Sequence, residues 1–138
     1  MAVTRDVQFI SLEGARLLAA AAEVEAEKRG WTVAIAIVNA EGGLVLFHCR
    51  DGTQPGSQDI AILKARTAAR FRRPTKALED GVAAGRHALI TVPDAVMLEG
   101  GVPIKKDGQI VGAIGVSGMT SVEDGVIAAA ALAAWPSA

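Results

Sequence analysis

The chain has 138 residues, of which 51% are hydrophobic and 21% charged, with a formal net charge of −1. This length suits one buried core, so we expect a single domain over residues 1–138. The near-neutral charge gives no general attraction to nucleic acid or to an anionic membrane, so neither is expected as a partner. No apolar run approaches the roughly 20 residues of a membrane-spanning helix.

Two further features concern location and assembly. The first residues lack a secretory signal pattern, and the single cysteine, Cys49, cannot form an internal disulfide. Both features favour a cytoplasmic protein. A high apolar content in a small chain rich in alanine and glycine also suggests surface that is buried between subunits, so we expect self-association into a homo-oligomer.

The first half of the chain predicts a helix followed by a hairpin. Ser11 is suited to cap a helix from Leu12 to about Lys28. The segment from Trp31 to Asn39 is apolar and β-branched on both faces, which is typical of an inner strand. Residues 40–43 form a turn, and Leu44 to Arg50 predicts the second strand of the hairpin.

Two helices and an ambiguous segment come next. Ser57 is suited to cap a helix that runs to about Arg72, and Thr75 to cap a short helix through Asp80. The residues from Arg86 to Met97 predict a short strand followed by an irregular piece.

The stretch from Gly100 to Gly118 predicts a second hairpin that pairs with the first. Asp107-Gly108 tolerates the positive φ angles of a tight two-residue turn. In the strand from Gln109 to Val116, glycines let another backbone or a ligand approach closely. Because flexible backbone at both ends of a hairpin commonly frames a pocket, the candidate ligand-binding residues here are Gly100, Gly101, Gly115, Ser117 and Gly118.

The last element is a helix that runs to Trp135. Thr120 and Glu123 stand at the spacing of a capping box at its start. Glu123 and Asp124 also suit the positive end of the helix dipole, so the sequence predicts capping as their role.

Lys64 is a candidate catalytic residue because it lies on the packed face of its helix. Helical spacing places it in a stripe with Ile60, Leu63, Thr67 and Phe71. Three interpretations are open: Lys64 contacts an anionic ligand, it acts as an acid or base if burial lowers its pKa, or its stem lies on the core while its ammonium reaches solvent. The basic residues around the helix end suit the helix dipole or form a carboxylate site. They are Arg66, Arg70, Arg72, Arg73 and Lys76.

A second candidate site lies where the strand ending at Arg50 gives way to a loop. His48 is a proton carrier, a metal ligand or a structural histidine. Arg50 and Asp51 pair with each other, fix the loop or present Arg50 to a ligand, so both are ligand-binding candidates. With two histidines and one cysteine in the chain, a closed metal site is not expected.

Together these segments resemble one known family. They are Val38 to Gly43, Arg50-Asp51-Gly52, Ser57 to Ala68, Arg73-Pro74-Thr75, Gly100 to Ile104, Val111 to Gly118 and Glu123-Asp124. In this order, over Ser11 to Trp135, the chain is similar to the GlcG/HbpS family, also called heme-binding or heme-degrading, which includes the C-terminal domain of PduO-type proteins. The resemblance implies a profilin-like α+β fold, an antiparallel sheet flanked by helices, and assembly into dimers and larger rings.

The resemblance also implies a ligand, but the chain departs from the family pattern. Several members bind heme, and others lie in catabolic operons and act on small organic acids or aromatic intermediates. The heme ligand is expected from a histidine near the N-terminal helix, yet no histidine precedes His48, and tyrosine is absent. The substitutes available in principle are His48, His87, Met97 and Met119.

Two functions follow from the resemblance and the candidate residues. The first is an oligomeric small-molecule-binding protein that holds heme or a related tetrapyrrole, with His48 as the metal ligand and Arg50, Lys64 or Arg73 on the propionates. The alternative is a cofactor-independent catabolic enzyme, a lyase, tautomerase or hydrolase, for a small aromatic or unsaturated carboxylate. In that enzyme Arg50 and Arg73 orient the carboxylate, Lys64 or His48 moves protons, and residues 115–118 offer backbone amides.

Overall fold

A four-stranded antiparallel sheet forms the centre of the molecule. The computed structural model describes residues 1–136. In chain order its elements are α1 (Leu12–Arg29), β1 (Ala34–Asn39), β2 (Leu44–Cys49), α2 (Gly56–Phe71), α3 (Thr75–Ala83), a 3₁₀ helix (His87–Thr91), β3 (Gly101–Lys106), β4 (Gln109–Ser117) and α4 (Ser121–Ala133). The strand order is β2-β1-β4-β3, so the two hairpins meet where β1 pairs with β4.

Helices cover both faces of this sheet, which explains why β1 is buried from Ala34 to Val38. On one face Ile35 and Ile37 pack with Leu18 of α1 and Ile127 of α4. On the other face the alanines of β1 pack with those of α2. Side chains alternate between the faces of a strand, so a strand covered on both sides is apolar throughout.

The α2 face is built from small residues, and the helix backbone therefore lies very close to the sheet. Its buried members are Ala34, Ala36, Val38, Ala61, Ala65, Ala68, Ala69 and Ala113. Gly115 of β4 faces α2 so closely that a Cβ atom there would overlap the carbonyl oxygen of Ala61 and the amide nitrogen of Ala65. Gly115 thus admits another backbone, that of α2.

The sequence predictions of fold and turn are confirmed. The chain is an α+β protein with an antiparallel sheet flanked by helices. Asp107 and Gly108 have φ angles of 51° and 76°, as a tight two-residue hairpin turn requires. Thr120 and Glu123 form the capping box of α4.

Several local predictions are wrong. The predicted strand within Arg86 to Met97 is a 3₁₀ helix, His87–Thr91, and β1 begins at Ala34 rather than Trp31. Ser57 and Thr75 do not cap their helices: Ser57 lies inside α2, where its hydroxyl accepts from Gln54, and Thr75 is the first residue of α3. Both hydroxyls are buried by the packing of the fold, so neither is available to cap the start of its helix.

Within residues 1–136, no helix is long and apolar enough to cross a membrane.

The contact between Gly115 and α2 can be tested by adding one methyl group. We expect Gly115→Ala to lower the free energy of unfolding by about 3 kcal/mol, because the two backbones cannot separate without disturbing the sheet. Chemical denaturation measures the effect. Gly56→Ala is the matched control, since Gly56 opens α2 with no neighbouring atom within 4 Å of an added Cβ. Equal stability of the two variants would contradict the close approach.

Candidate functional site

Lys64 lies fully inside the protein. It is 1% exposed, and its Nζ atom donates to the carbonyl oxygen of Val116 at 2.9 Å and to Asp124 Oδ2 at 3.0 Å. The interpretation in which the ammonium reaches solvent is therefore wrong. The catalytic role of Lys64 stays a prediction, and the geometry gives the residue a structural role as one half of a buried ion pair.

The ion pair connects helices that pack on opposite faces of the sheet. Lys64 comes from α2, and Asp124 from the first turn of α4. Asp124 Oδ1 also accepts from the backbone amide of Met119 at 3.0 Å. The pair therefore holds α2, α4 and the end of β4 together at one edge of the protein core.

Asp124 has an altered acidity in this environment. Burial raises the pKa of the Asp124 carboxyl above its ordinary value, because the charged form is disfavoured away from water. The Lys64 ammonium and the amides of Met119 and Gly118 act in the opposite direction and offset only part of this effect. Asp124 is thus more than the helix-capping residue predicted from sequence.

The candidate glycines lie around this pair. A Cβ atom at Gly100, where φ is +133°, would come within 2.8 Å of Lys64 Nζ, and one at Gly101 would overlap the Lys64 carbonyl oxygen. Thr75 Oγ1 fixes Gly101 by accepting from its amide at 2.9 Å. Gly100 is therefore explained by the Lys64 side chain, and Gly101 by the α2 backbone at Lys64. The ligand-binding role of both glycines stays a prediction.

Ser117 and Gly118 close the same region. Ser117 is 6% exposed and pairs with Ala34 in the sheet. Gly118 packs against the backbone of Thr32 and Val33. Their ligand-binding role also stays a prediction.

A second group lies on the other face, where β2 meets α1. We call Glu23, Glu27, His48 and Arg50 the strand-end cluster. His48 Nδ1 lies 2.5 Å from Glu23 Oε1, and the His48 side chain is 45% exposed. Arg50 donates to Glu27 Oε2. Asp51 follows directly in the loop and, with Glu23, Cys49 and Arg50, lines a cavity of about 340 Å³.

The geometry of His48 defines what it can do. An ionised carboxylate only accepts hydrogen bonds, so His48 Nδ1 carries the proton that it shares with Glu23. His48 Nε2 is then the atom that is free to bind a metal or accept a proton. A carboxylate behind the opposite ring nitrogen is the usual support of a metal-binding histidine.

Arg50 carries an unsatisfied donor. Its Nε atom is buried and has no hydrogen-bond partner, although the guanidinium pairs with Glu27. A buried donor without an acceptor is unfavourable, so an anionic oxygen placed there would gain a charge-assisted hydrogen bond. The strand-end cluster thus has a histidine side chain that is partly exposed and an arginine whose buried Nε atom lacks an acceptor.

The remaining candidates lie elsewhere. Arg73 is exposed between α2 and α3 and donates to the Phe71 carbonyl oxygen. His87 is exposed in the 3₁₀ helix, Met97 is half-buried, and Met119 packs against the core. The structure does not bring Lys64, His48 and Arg73 into one cavity.

Sequence reasoning missed Glu23, Glu27 and Asp124 as partners. A lysine on a packed helix face does signal that a buried acid is needed, but spacing cannot say which one. Residues 1–136 contain no group of three or more histidine, cysteine or acidic side chains that could hold a metal ion.

Fold and site define a class: a small α+β protein with helices on both faces of its sheet and a histidine–carboxylate pair at its surface. Residues 10–133 match the family model described as "Haem degrading protein HbpS-like". Protein GlcG of Escherichia coli K12 is 44% identical over 109 residues, which cover 79% of this chain and 81% of GlcG. The chain therefore belongs to the HbpS-like family.

Solved structures of the family have the same fold. A double mutant of HbpS from Streptomyces reticuli is 32% identical with a TM-score of 0.91, covering 99% of this chain and 93% of the other. A PduOC:heme complex is 27% identical with a TM-score of 0.82, covering 91% and 94%.

The buried ion pair generates a stability prediction. We expect Lys64→Met to lower the free energy of unfolding by about 3–5 kcal/mol, because Asp124 loses its counterion inside the protein. The double variant Lys64→Met/Asp124→Leu should recover most of this loss, since both charges are then gone. Chemical denaturation at neutral pH measures both. Lys76→Met removes an exposed lysine–aspartate pair and should change little. A Lys64→Met protein as stable as the wild type would refute the structural role.

The raised pKa of Asp124 generates a pH prediction. At pH values between the unfolded and the folded pKa of Asp124, the folded chain keeps the proton on this carboxyl and the unfolded chain has lost it. The stability that Asp124 contributes is therefore fully present below the unfolded pKa, about 3.8, and is lost as pH rises through the folded pKa. The unfolding free energy of the wild type minus that of Asp124→Asn should decrease from about pH 4 upward. A difference that increases with pH would mean that the ion pair outweighs burial.

Proposed function

We propose that this protein binds heme or a related tetrapyrrole at the strand-end cluster, with His48 Nε2 as the metal ligand. The observation that carries the proposal is the 2.5 Å contact between His48 Nδ1 and Glu23, because a carboxylate on one ring nitrogen supports the other as a metal ligand and the His48 side chain is 45% exposed. Bound heme would supply an iron centre for ligand binding or redox chemistry. The family match and the PduOC:heme complex support heme as the ligand class.

The residues of the cluster fit such a ligand. Arg50 has a buried, unpartnered Nε atom that suits a propionate oxygen. An exposed apolar side chain lies beside the cluster: Val24 of α1, the residue after Glu23, is 62% exposed. It offers apolar surface to a tetrapyrrole face. Lys64 is buried and Arg73 lies elsewhere, so Arg50 remains as the propionate partner among the three predicted.

Assembly and location belong to the same proposal. Large exposed apolar side chains outside α1 and β2, Ile90 and Val122, suit a homo-oligomer in which a second subunit covers them. A single free cysteine suits a reducing compartment, and we infer a cytoplasmic protein. We expect no nucleic-acid or membrane partner.

The enzyme alternative stays a prediction. Its proton carrier would be Lys64 or His48, with Arg50 and Arg73 on a small aromatic or unsaturated carboxylate of catabolism. Lys64 has its ammonium committed to Val116 and Asp124, so His48 is the better-placed of the two.

Heme titration of the purified protein tests the leading proposal. We expect a saturable Soret shift in the wild type and its loss in His48→Ala, because the imidazole ligand is removed. His87→Ala is the matched control and should titrate like the wild type. Light scattering on the same samples gives the oligomeric state.

A carboxylate variant tests the carrying observation. Glu23→Gln should weaken heme binding by about tenfold or more, since the amide no longer supports the imidazole. Glu25→Gln, on the same helix but paired with Arg29, should leave binding unchanged. A flat titration of the wild type would refute heme binding, and a shift that survives in His48→Ala would refute His48 as the ligand.

A further inference from the structure

A cleft separate from the strand-end cluster opens between the start of α1 and the end of α4. Its volume is about 500 Å³, within the range of small-molecule pockets. Its apolar lining comes from the segment before α1, from α1, from β4 and from the residues after α4. These side chains are Phe9, Ile10, Leu17, Val111 and Trp135.

The walls of the cleft are held in place by the fold. Trp135 Nε1 donates to the Lys105 carbonyl oxygen at 2.8 Å, which fixes the indole ring. A Cβ atom at Gly14 would lie 3.2 Å from that ring, so the ring packs directly on the helix backbone. Ile10 donates its amide to Val111 at 2.9 Å, which ties the segment before α1 to β4. A preformed cleft loses little conformational entropy when a ligand binds.

Two large apolar side chains of this cleft are left in contact with water. Phe9 is 45% exposed and Leu17 is 43% exposed. Together with the fixed indole ring they favour a ligand with a flat apolar body, because its binding removes apolar surface from water.

The charged side chains of the lining indicate which charge the ligand carries. They are Lys106 and Glu13, and in the described part of the chain neither forms an ion pair. The Lys106 ammonium attracts one anionic group of the ligand. The Glu13 carboxylate repels negative charge, so it disfavours a second anionic group on the same ligand. The lining therefore matches a molecule with a single negative charge.

We propose that this cleft is a second ligand site, which takes a monoanion with a flat apolar body, such as an aromatic carboxylate or sulfonate. Its lining shares no residue with the strand-end cluster. The proposal is therefore independent of heme binding at His48.

The experiment uses anilinonaphthalene sulfonate as an anionic probe and phenylnaphthylamine as its uncharged counterpart. In a Trp31→Phe background Trp135 is the remaining tryptophan, so quenching of its emission reports binding in this cleft. We expect saturable quenching by the anionic probe. Lys106→Met should lower the affinity for the anionic probe by about fivefold and leave the affinity for the uncharged probe unchanged.

Matched variants separate the cleft from the rest of the surface. Lys105→Met removes the neighbouring lysine, which does not line the cleft. This variant should bind both probes with the affinity of the Trp31→Phe background. Leu17→Asp replaces an exposed residue, so it should fold, and it should abolish quenching by both probes. Equal effects of Lys105→Met and Lys106→Met, or quenching that survives Leu17→Asp, would overturn the proposal.

One further outcome identifies a different occupant. If the wild type does not bind the probe and light scattering shows that Leu17→Asp dissociates an oligomer, the cleft is filled by a second copy of the chain. That result would also overturn the ligand site.

Discussion

The ion pair between Lys64 and Asp124 is the interaction on which the rest of the structure depends. It joins α2 and α4, which pack on opposite faces of the sheet, and it does so inside the protein, where each charge is costly without the other. The residues around it follow from its presence. Gly100 leaves room for the lysine side chain, and the Val116 carbonyl oxygen accepts a second hydrogen bond from the ammonium. A buried pair of this kind fixes one arrangement of the helices, because any other would leave a charge unpaired.

The same constraint accounts for the composition of the α2 face. A lysine stem can cross the end of β3 only if the helix lies close to the sheet, and this closeness is provided by alanines on α2 and β1 and by Gly115 on β4. Larger side chains would move the helix outward and separate Lys64 from Asp124. The high alanine and glycine content, which at first suggested buried subunit surface, thus also serves the packing within one chain.

On the opposite face of the sheet, the polar side chains of α1 and β2 lie at the surface. α1 supplies Glu23 and Glu27, and β2 supplies His48 and Arg50. The ion pair of Lys64 is buried, whereas the ion pairs that join α1 to β2 lie at the surface. The tetrapyrrole site that we propose lies on α1 and β2, where Glu23 and Glu27 meet His48 and Arg50.

The sequence by itself determined the local features and the family. Periodicity placed the helices, the two hairpins and the Asp107-Gly108 turn, because these depend on neighbouring residues. The motifs from Val38 to Asp124 identified the family and hence the fold. The sequence also named Lys64, His48 and Arg50 as residues of interest. What it did not determine is the partner of each one: Asp124 stands 60 positions after Lys64, and Glu23 stands 25 positions before His48. Only the tertiary structure decided these pairs, and it likewise decided that Ser57 and Thr75 are buried residues rather than caps. Long-range contacts depend on how helices and strands pack in space. The spacing of neighbouring residues in the chain does not reveal which distant residues will meet.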